Sequence, residues 1–210
     1  MRLRRLVPLG LGAMLLPVWA FPPKPQDVDA PDTVGEIVAE CQASGLTGRE
    51  LVDDAIKRVA RSYPWYSLRR LIASPSRSLK EHCGWSHQYN LILLAVLQQL
   101  GFTARAVHAP RVRGFRRPWW LAGHTWVKVR VDGHELDACA STEASRVGKP
   151  PFVPLTHTVP FRSVTNWAVS AALIPFVTVE VWRSWLTRRP IPPWIHGPKP
   201  TARIDADPLG

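Results

Sequence analysis

Residues 81–90 read EHCGWSHQYN and put a thiol (Cys83), a hydroxyl (Ser86) and two imidazoles (His82, His87) into one short stretch. Further along, His124 opens HTWVKVRVDGHELDAC, which carries a carboxylate at Asp137 and another thiol at Cys139. A nucleophilic thiol or hydroxyl, an imidazole that takes its proton and a carboxylate that orients the ring are the parts of an acyl-transfer site. Cys83, Ser86 and Cys139 compete here as nucleophile, with His124 as base and Asp137 as orienting group. The cysteines, Cys41, Cys83 and Cys139, form no CxxC pair, so no zinc pattern is available. Their odd number leaves at least one thiol free or bonded between chains. Nothing in the sequence implies a metal or a cofactor.

These residues need elements to hold them. Thr33 is placed to cap a helix through Ile37, Val38 and Cys41, which Gly45 ends. Thr47 and Glu50 have capping-box spacing, and Leu51, Val52, Ala55, Ile56 and Val59 then recur at helical spacing. A short helix is expected over Leu68–Ile72, followed by a loop over Ser74–Ser78. From Ser86 to Leu100 the chain is apolar nearly all round, the pattern of a buried central helix, and Gly101 stops it. Phe102–Ala109 reads as a strand closed by Pro110, and Arg111–Gly123 as a basic, aromatic loop. The next strand sets Thr125, Val127, Val129 and Val131 on one face and His124, Trp126, Lys128 and Arg130 on the other. Asp132-Gly133 is a two-residue hairpin signal, with Glu135–Ala138 returning as the partner. Val169–Leu186 suits a helix interrupted by Pro175. Helices followed by an antiparallel meander make an α+β fold.

The 210 residues suit one domain. The 21 prolines crowd the ends, so residues 33–187 are expected to form the domain, 21–32 a Pro-rich linker and 188–210 an unfolded or draped Pro-rich tail. At the N-terminus, Arg2, Arg4 and Arg5 precede the uncharged run Leu6–Trp19, and small residues stand before Phe21. Residues 1–20 therefore read as an export signal, too short and Pro-broken to span a membrane well. The alternative is a segment packed on the domain of a cytoplasmic protein. The net charge of +11 favours anionic partners, including a phospholipid surface, but no nucleic-acid-binding signature accompanies it.

GWSHQYNLILLAVLQQLGFTARAV and HTWVKVRVDG, taken together, resemble the core of the transglutaminase-like superfamily, which shares its fold with papain-type peptidases and arylamine N-acetyltransferases. The resemblance covers roughly residues 50–140. Asn90 and Gly101-Phe102 lean toward the acetyltransferases, and Trp126 toward the transglutaminases. It implies a papain-like domain with a Cys-His-Asp triad, the Cys at the start of the buried helix. Counted back from Leu100-Gly101, the nucleophile position falls on Ser86, with Gly84 as the family glycine and Cys83 outside the helix start. A Ser gains less than a Cys from the helix dipole, because its proton leaves far above neutral pH.

His124 matches the family histidine. In the register set by the Asp132-Gly133 turn, Lys128 opposes Asp137 and Trp126 opposes Cys139, so the family's carboxylate position holds Cys139. Asp137 then starts about 14 Å along the strand from His124, and only a bulged turn would bring it into reach. In this fold the helix start adjoins the histidine strand. Cys139 is therefore expected beside His124, and a Cys83–Cys139 disulfide is conceivable in an exported protein. The resemblance implies an amide or thioester acyl-transfer or hydrolysis enzyme acting on a peptide or a small acyl or amide substrate. Backbone N–H groups at the helix start, with Gln88, would hold the oxyanion. Trp126 beside His124, and Arg113, Arg116, Trp119 and Trp120 in the basic loop, would bind substrate or an anionic ligand. Two rivals stay open: a non-catalytic member that keeps the cleft for binding, and a peptidase for a small exported or modified peptide.

Overall fold

The computed structural model describes residues 28–67, 73–114 and 121–199. Helix α1 (Val34–Ala43) begins at Thr33, whose hydroxyl accepts the Glu36 N–H at 3.2 Å. Helix α2 (Gly48–Arg61) begins where the capping-box spacing put it, but Thr47 makes no side-chain cap bond. A two-residue strand, β1 (Trp65–Tyr66), follows. The stretch read as a loop at Ser74–Ser78 instead holds helix α3 (Pro75–Lys80), with Ser74 capping it and Pro75 in its first turn, where a missing N–H costs nothing. The helix expected at 68–72 lies outside the described residues, as do residues 1–20 and 200–210.

Helix α4 (Ser86–Gln99) is the predicted central rod, packed on α1, α2, α3 and the sheet. Its Tyr89, Ile92, Leu93, Val96 and Leu97 are almost wholly buried. Gly101, at φ +89°, turns the chain into the sheet. Strand β2 (Ala104–Gly114) runs on past Pro110, where the sequence suggested a stop. The missing N–H of Pro110 is tolerated because it falls in a bulge: Ala109 faces His124 and Val112 faces Ala122, so β2 carries one residue more than β3 over that interval. Arg111–Gly114 and Leu121–Gly123 are therefore strand, not loop.

Strand β3 (Leu121–Val131) turns at Asp132-Gly133, both with positive φ, into β4 (His134–Ala138). Val131 pairs with His134, Lys128 with Asp137 and Val127 with Ala138, as the turn requires. The antiparallel order is β4-β3-β2-β5, with β5 (Phe152–Pro154) and β6 (Val159–Pro160) both on β2. The fold is thus α+β. Helix α5 (Ser163–Leu186) is longer than expected and runs through Pro175. Its Val177 and Val181 join Trp85 and Ile195 in a second apolar cluster. Beyond residue 187 the tail is draped on the domain: β7 (Gly197–Pro198) pairs with β1, and the Lys199 N–H donates to Pro64 O at 2.7 Å. Among the described residues no helix is long and apolar enough to cross a membrane.

Candidate functional site

His124 stands on β3 beside the bulge, where the extra residue of β2 re-aims the strand. The preceding Gly123 must be small, because a Cβ there would lie 3.1 Å from the His108 ring. His108 itself is buried and held by Thr125 Oγ1 at 3.0 Å. Phe152 of β5 covers the His124 ring, centroids 4.5 Å apart. His124 Nε2 lies 3.2 Å from Cys139 Sγ, so the thiol expected beside this imidazole is there.

Asn90, one turn into α4, ties this corner together. Its Nδ2 donates to Thr125 O at 2.6 Å and to Cys139 Sγ at 3.5 Å, and its Oδ1 accepts the Ala140 N–H at 3.0 Å. An amide inside an apolar helix must find such partners, and that need was the one sequence signal for its role. The opposite wall comes from the tail. Lys199 Nζ donates to Ala140 O at 3.3 Å and sits 4.0 Å from the centre of the Tyr89 ring. No sequence signal marked this lysine in a Pro-rich terminus.

Burial pushes the Cys139 thiol above its ordinary range, against hydrogen bonds from Ser141 and Asn90. Burial also pushes His124 down to about 3, helped by the positive charge of His108 and Lys199. Lys199 is itself drawn down to about 7 by burial, against Cys139 and Glu143. Thiol and imidazole are therefore both neutral at pH 7 and meet as a neutral hydrogen-bonded pair.

Asp137 is not part of this group. Its Oδ1 accepts the Trp126 indole N–H at 2.7 Å and pairs with Lys128 Nζ at 3.1 Å, because the turn is tight and no bulge shortens β4. Trp126 is wholly buried and spends its N–H on Asp137, so it offers no surface to a substrate. No disulfide joins Cys83 and Cys139. Cys83 is buried ahead of α4, its N–H bonded to Ser78 O, and Gly84 bonds Trp65 O. Gln88 is not an oxyanion donor: its Oε1 accepts the Trp85 N–H at 2.8 Å and its Nε2 donates to Ala73 O at 3.0 Å, so it caps the helix. Ser86 is the part-exposed first residue of α4, and among the described residues no hydrogen bond joins it to His124. Arg113 is exposed on β2, away from these contacts, while Arg116, Trp119 and Trp120 lie outside the described residues. Among the described residues no cluster of His, Cys, Asp and Glu suits a metal ion.

No protein-family model matches the chain, and no curated protein matches it either.

Proposed function

We propose that this protein is a transglutaminase-like domain of papain-type architecture that binds a peptide amine beside Tyr89 and Ala140 and does not run acyl transfer through Ser86. The contact that carries this reading is His124 Nε2 to Cys139 Sγ at 3.2 Å. In the family that position belongs to a carboxylate, which gives a charged imidazole its counter-ion. A neutral thiol supplies none. An imidazole pushed down to about 3 is a weak proton acceptor at neutral pH, and Ser86 needs a strong one.

The binding half rests on the tail. Gly197–Pro198 already adds a strand to β1, and the following Lys199 places its amine between the Tyr89 ring and Ala140 O. Strand addition with one inserted side chain is a common way to hold a peptide. The chain's own C-terminal segment thus serves as the pattern for the ligand class: an extended peptide presenting a lysine.

A second reading has an observation of its own. Cys139 is in reach of both His124 and Asn90, and a thiol with an imidazole partner is a nucleophile wherever substrate can reach it. One experiment separates the readings. The intact protein is treated with a serine-reactive fluorophosphonate and, separately, a thiol-reactive acyl probe. The modified residues are mapped in wild type and in His124→Ala. Binding alone predicts no His124-dependent labelling, together with uptake of a peptide matching residues 195–201 by Lys199→Ala and not by wild type. Labelling of Ser86 that vanishes in His124→Ala overturns the proposal. His124-dependent labelling of Cys139 establishes the second reading, and His124-dependent labelling of Cys83 would overturn the assignment of Ser86 to the nucleophile position.

A further inference from the structure

Helix α5 has two apolar faces and only one of them is covered. Val177 and Val181 pack into the cluster with Trp85 and Ile195. Val164, Phe176, Val179 and Leu186, turned away from that cluster, and Trp167, about 40° from the line of Val181, are 60–78 % exposed. At about 100° per residue, Val164, Val179 and Leu186 fall within a sector of about 60°, with Trp167 and Phe176 about 60° to either side. Isolated exposed apolar residues are ordinary; a stripe of this length along one helix is not.

The charge around the stripe is one-sided. Arg162 precedes the helix, Arg183 lies in its last turn, and Arg188 and Arg189 follow; all four are exposed. The backbone N–H groups of Arg188 and Arg189 bond Trp185 O and Ser184 O, so both residues are fixed at the helix end. The carboxylate of Glu180 is within 3.4 Å of Arg183, which leaves the surroundings of the stripe basic. The whole chain carries +11.

We propose that the outer face of α5 docks on an anionic lipid surface. Tryptophan, phenylalanine and aliphatic side chains flanked by arginines suit the boundary between headgroups and acyl chains, where the helix lies in the plane. No described helix is long and apolar enough to cross a membrane, so α5 lies on the surface. A second copy of the chain is the weaker occupant. Pairing α5 with α5 in either direction brings arginines against arginines, whereas phosphate headgroups meet each of them with an opposite charge.

The test is co-sedimentation of the full-length protein with vesicles of phosphatidylglycerol and phosphatidylcholine, compared with phosphatidylcholine alone. A protein of this charge can stick to anionic vesicles anywhere, so the variants decide. Phe176→Ser/Val179→Ser, on exposed positions, is expected to lower partitioning about tenfold or more. Arg188→Glu/Arg189→Glu is expected to lower it at least about fivefold per arginine. Unchanged secondary structure and melting temperature exclude unfolding as the cause. Three results overturn the proposal: no sedimentation with the anionic vesicles; sedimentation that Phe176→Ser/Val179→Ser leaves intact; or a solution dimer that those substitutions dissociate, which would give the face to a second copy.

Discussion

Two regions of this molecule hold nucleophile-type residues and histidines, and they use them in opposite ways. Around the start of α4, Cys83, Ser86 and Gln88 sit close in sequence and look like a site. Yet Gln88 closes the helix cap and Cys83 lies buried under α3 and β1. At the end of the β3–β4 hairpin, His124 and Cys139 are far apart in sequence and meet at 3.2 Å, with Asn90 of α4 bonded to both the thiol and β3. Proximity in sequence marked the scaffold. Strand register marked the contact.

The comparison breaks first at Asn90. Asn90→Ala removes the partner of Thr125 O and of the Ala140 N–H, both in the interior. Stranding two buried backbone groups costs about 1–3 kcal/mol each, so a loss of about 3–4 kcal/mol is expected in urea unfolding. If the hairpin corner were only loosely attached to α4, the loss would stay below about 1 kcal/mol. The helix-start region is tested by Gly84→Ala. The added methyl would press on Ser78 and meet the Tyr63 ring at 2.9 Å, so overpacking of about 2 kcal/mol is expected. A neutral result would mean that this region has room for a ligand.

Asp137 sharpens the comparison from the other side. If it is scaffold, Asp137→Ala destabilises by about 2 kcal/mol, because it strands the indole N–H of buried Trp126. Asp137→Asn keeps an acceptor and should recover most of that. An unchanged melting temperature in Asp137→Ala would remove this role. The assignment was legible in part. The Asp-Gly turn fixes a two-residue hairpin, the hairpin fixes Lys128 opposite Asp137, and those two pair. That same arithmetic put Cys139 beside His124. What the sequence hid came from elsewhere. The bulge at Pro110 follows from non-local pairing. Helix α3 depends on a serine cap in a stretch with little periodicity. Lys199 arrives from a tail whose composition left open whether it is unfolded or draped.

The pH response separates the two part-buried bases of the hairpin corner. His124 is neutral in the fold down to about 3 and takes a proton near 6.5 when unfolded, so the unfolded chain binds more protons between those values. Stability is therefore full above pH 6.5 and falls as pH drops through that window. Lys199, at about 7 in the fold against 10.5 unfolded, acts in the same direction at higher pH: stability rises with pH from 7 to 10.5. Melting curves should show wild type losing more than His124→Gln between pH 6.5 and about 4. Wild type should gain on Lys199→Met between pH 7 and 10.5. Parallel curves in either pair would mean that the group in question is solvated and the corner is open.

The smallest expected effect is the most informative about the helix start. Ser86 opens α4 with its hydroxyl near the positive end of the helix, but the ring that would have to take its proton points Nε2 at Cys139 instead. Part-exposed and outside the bonds that cap the helix, its side chain carries little of the fold, so Ser86→Ala should shift stability by no more than about 0.5 kcal/mol. A hydroxyl held by an imidazole would behave differently. Its removal would free His124 and move the acid limb of the melting curve, and Ser86→Ala and His124→Gln would then be non-additive in a double-mutant cycle. Additivity keeps the two regions independent; a coupling above about 0.5 kcal/mol would join them into one site and restore the hydroxyl as a reacting group.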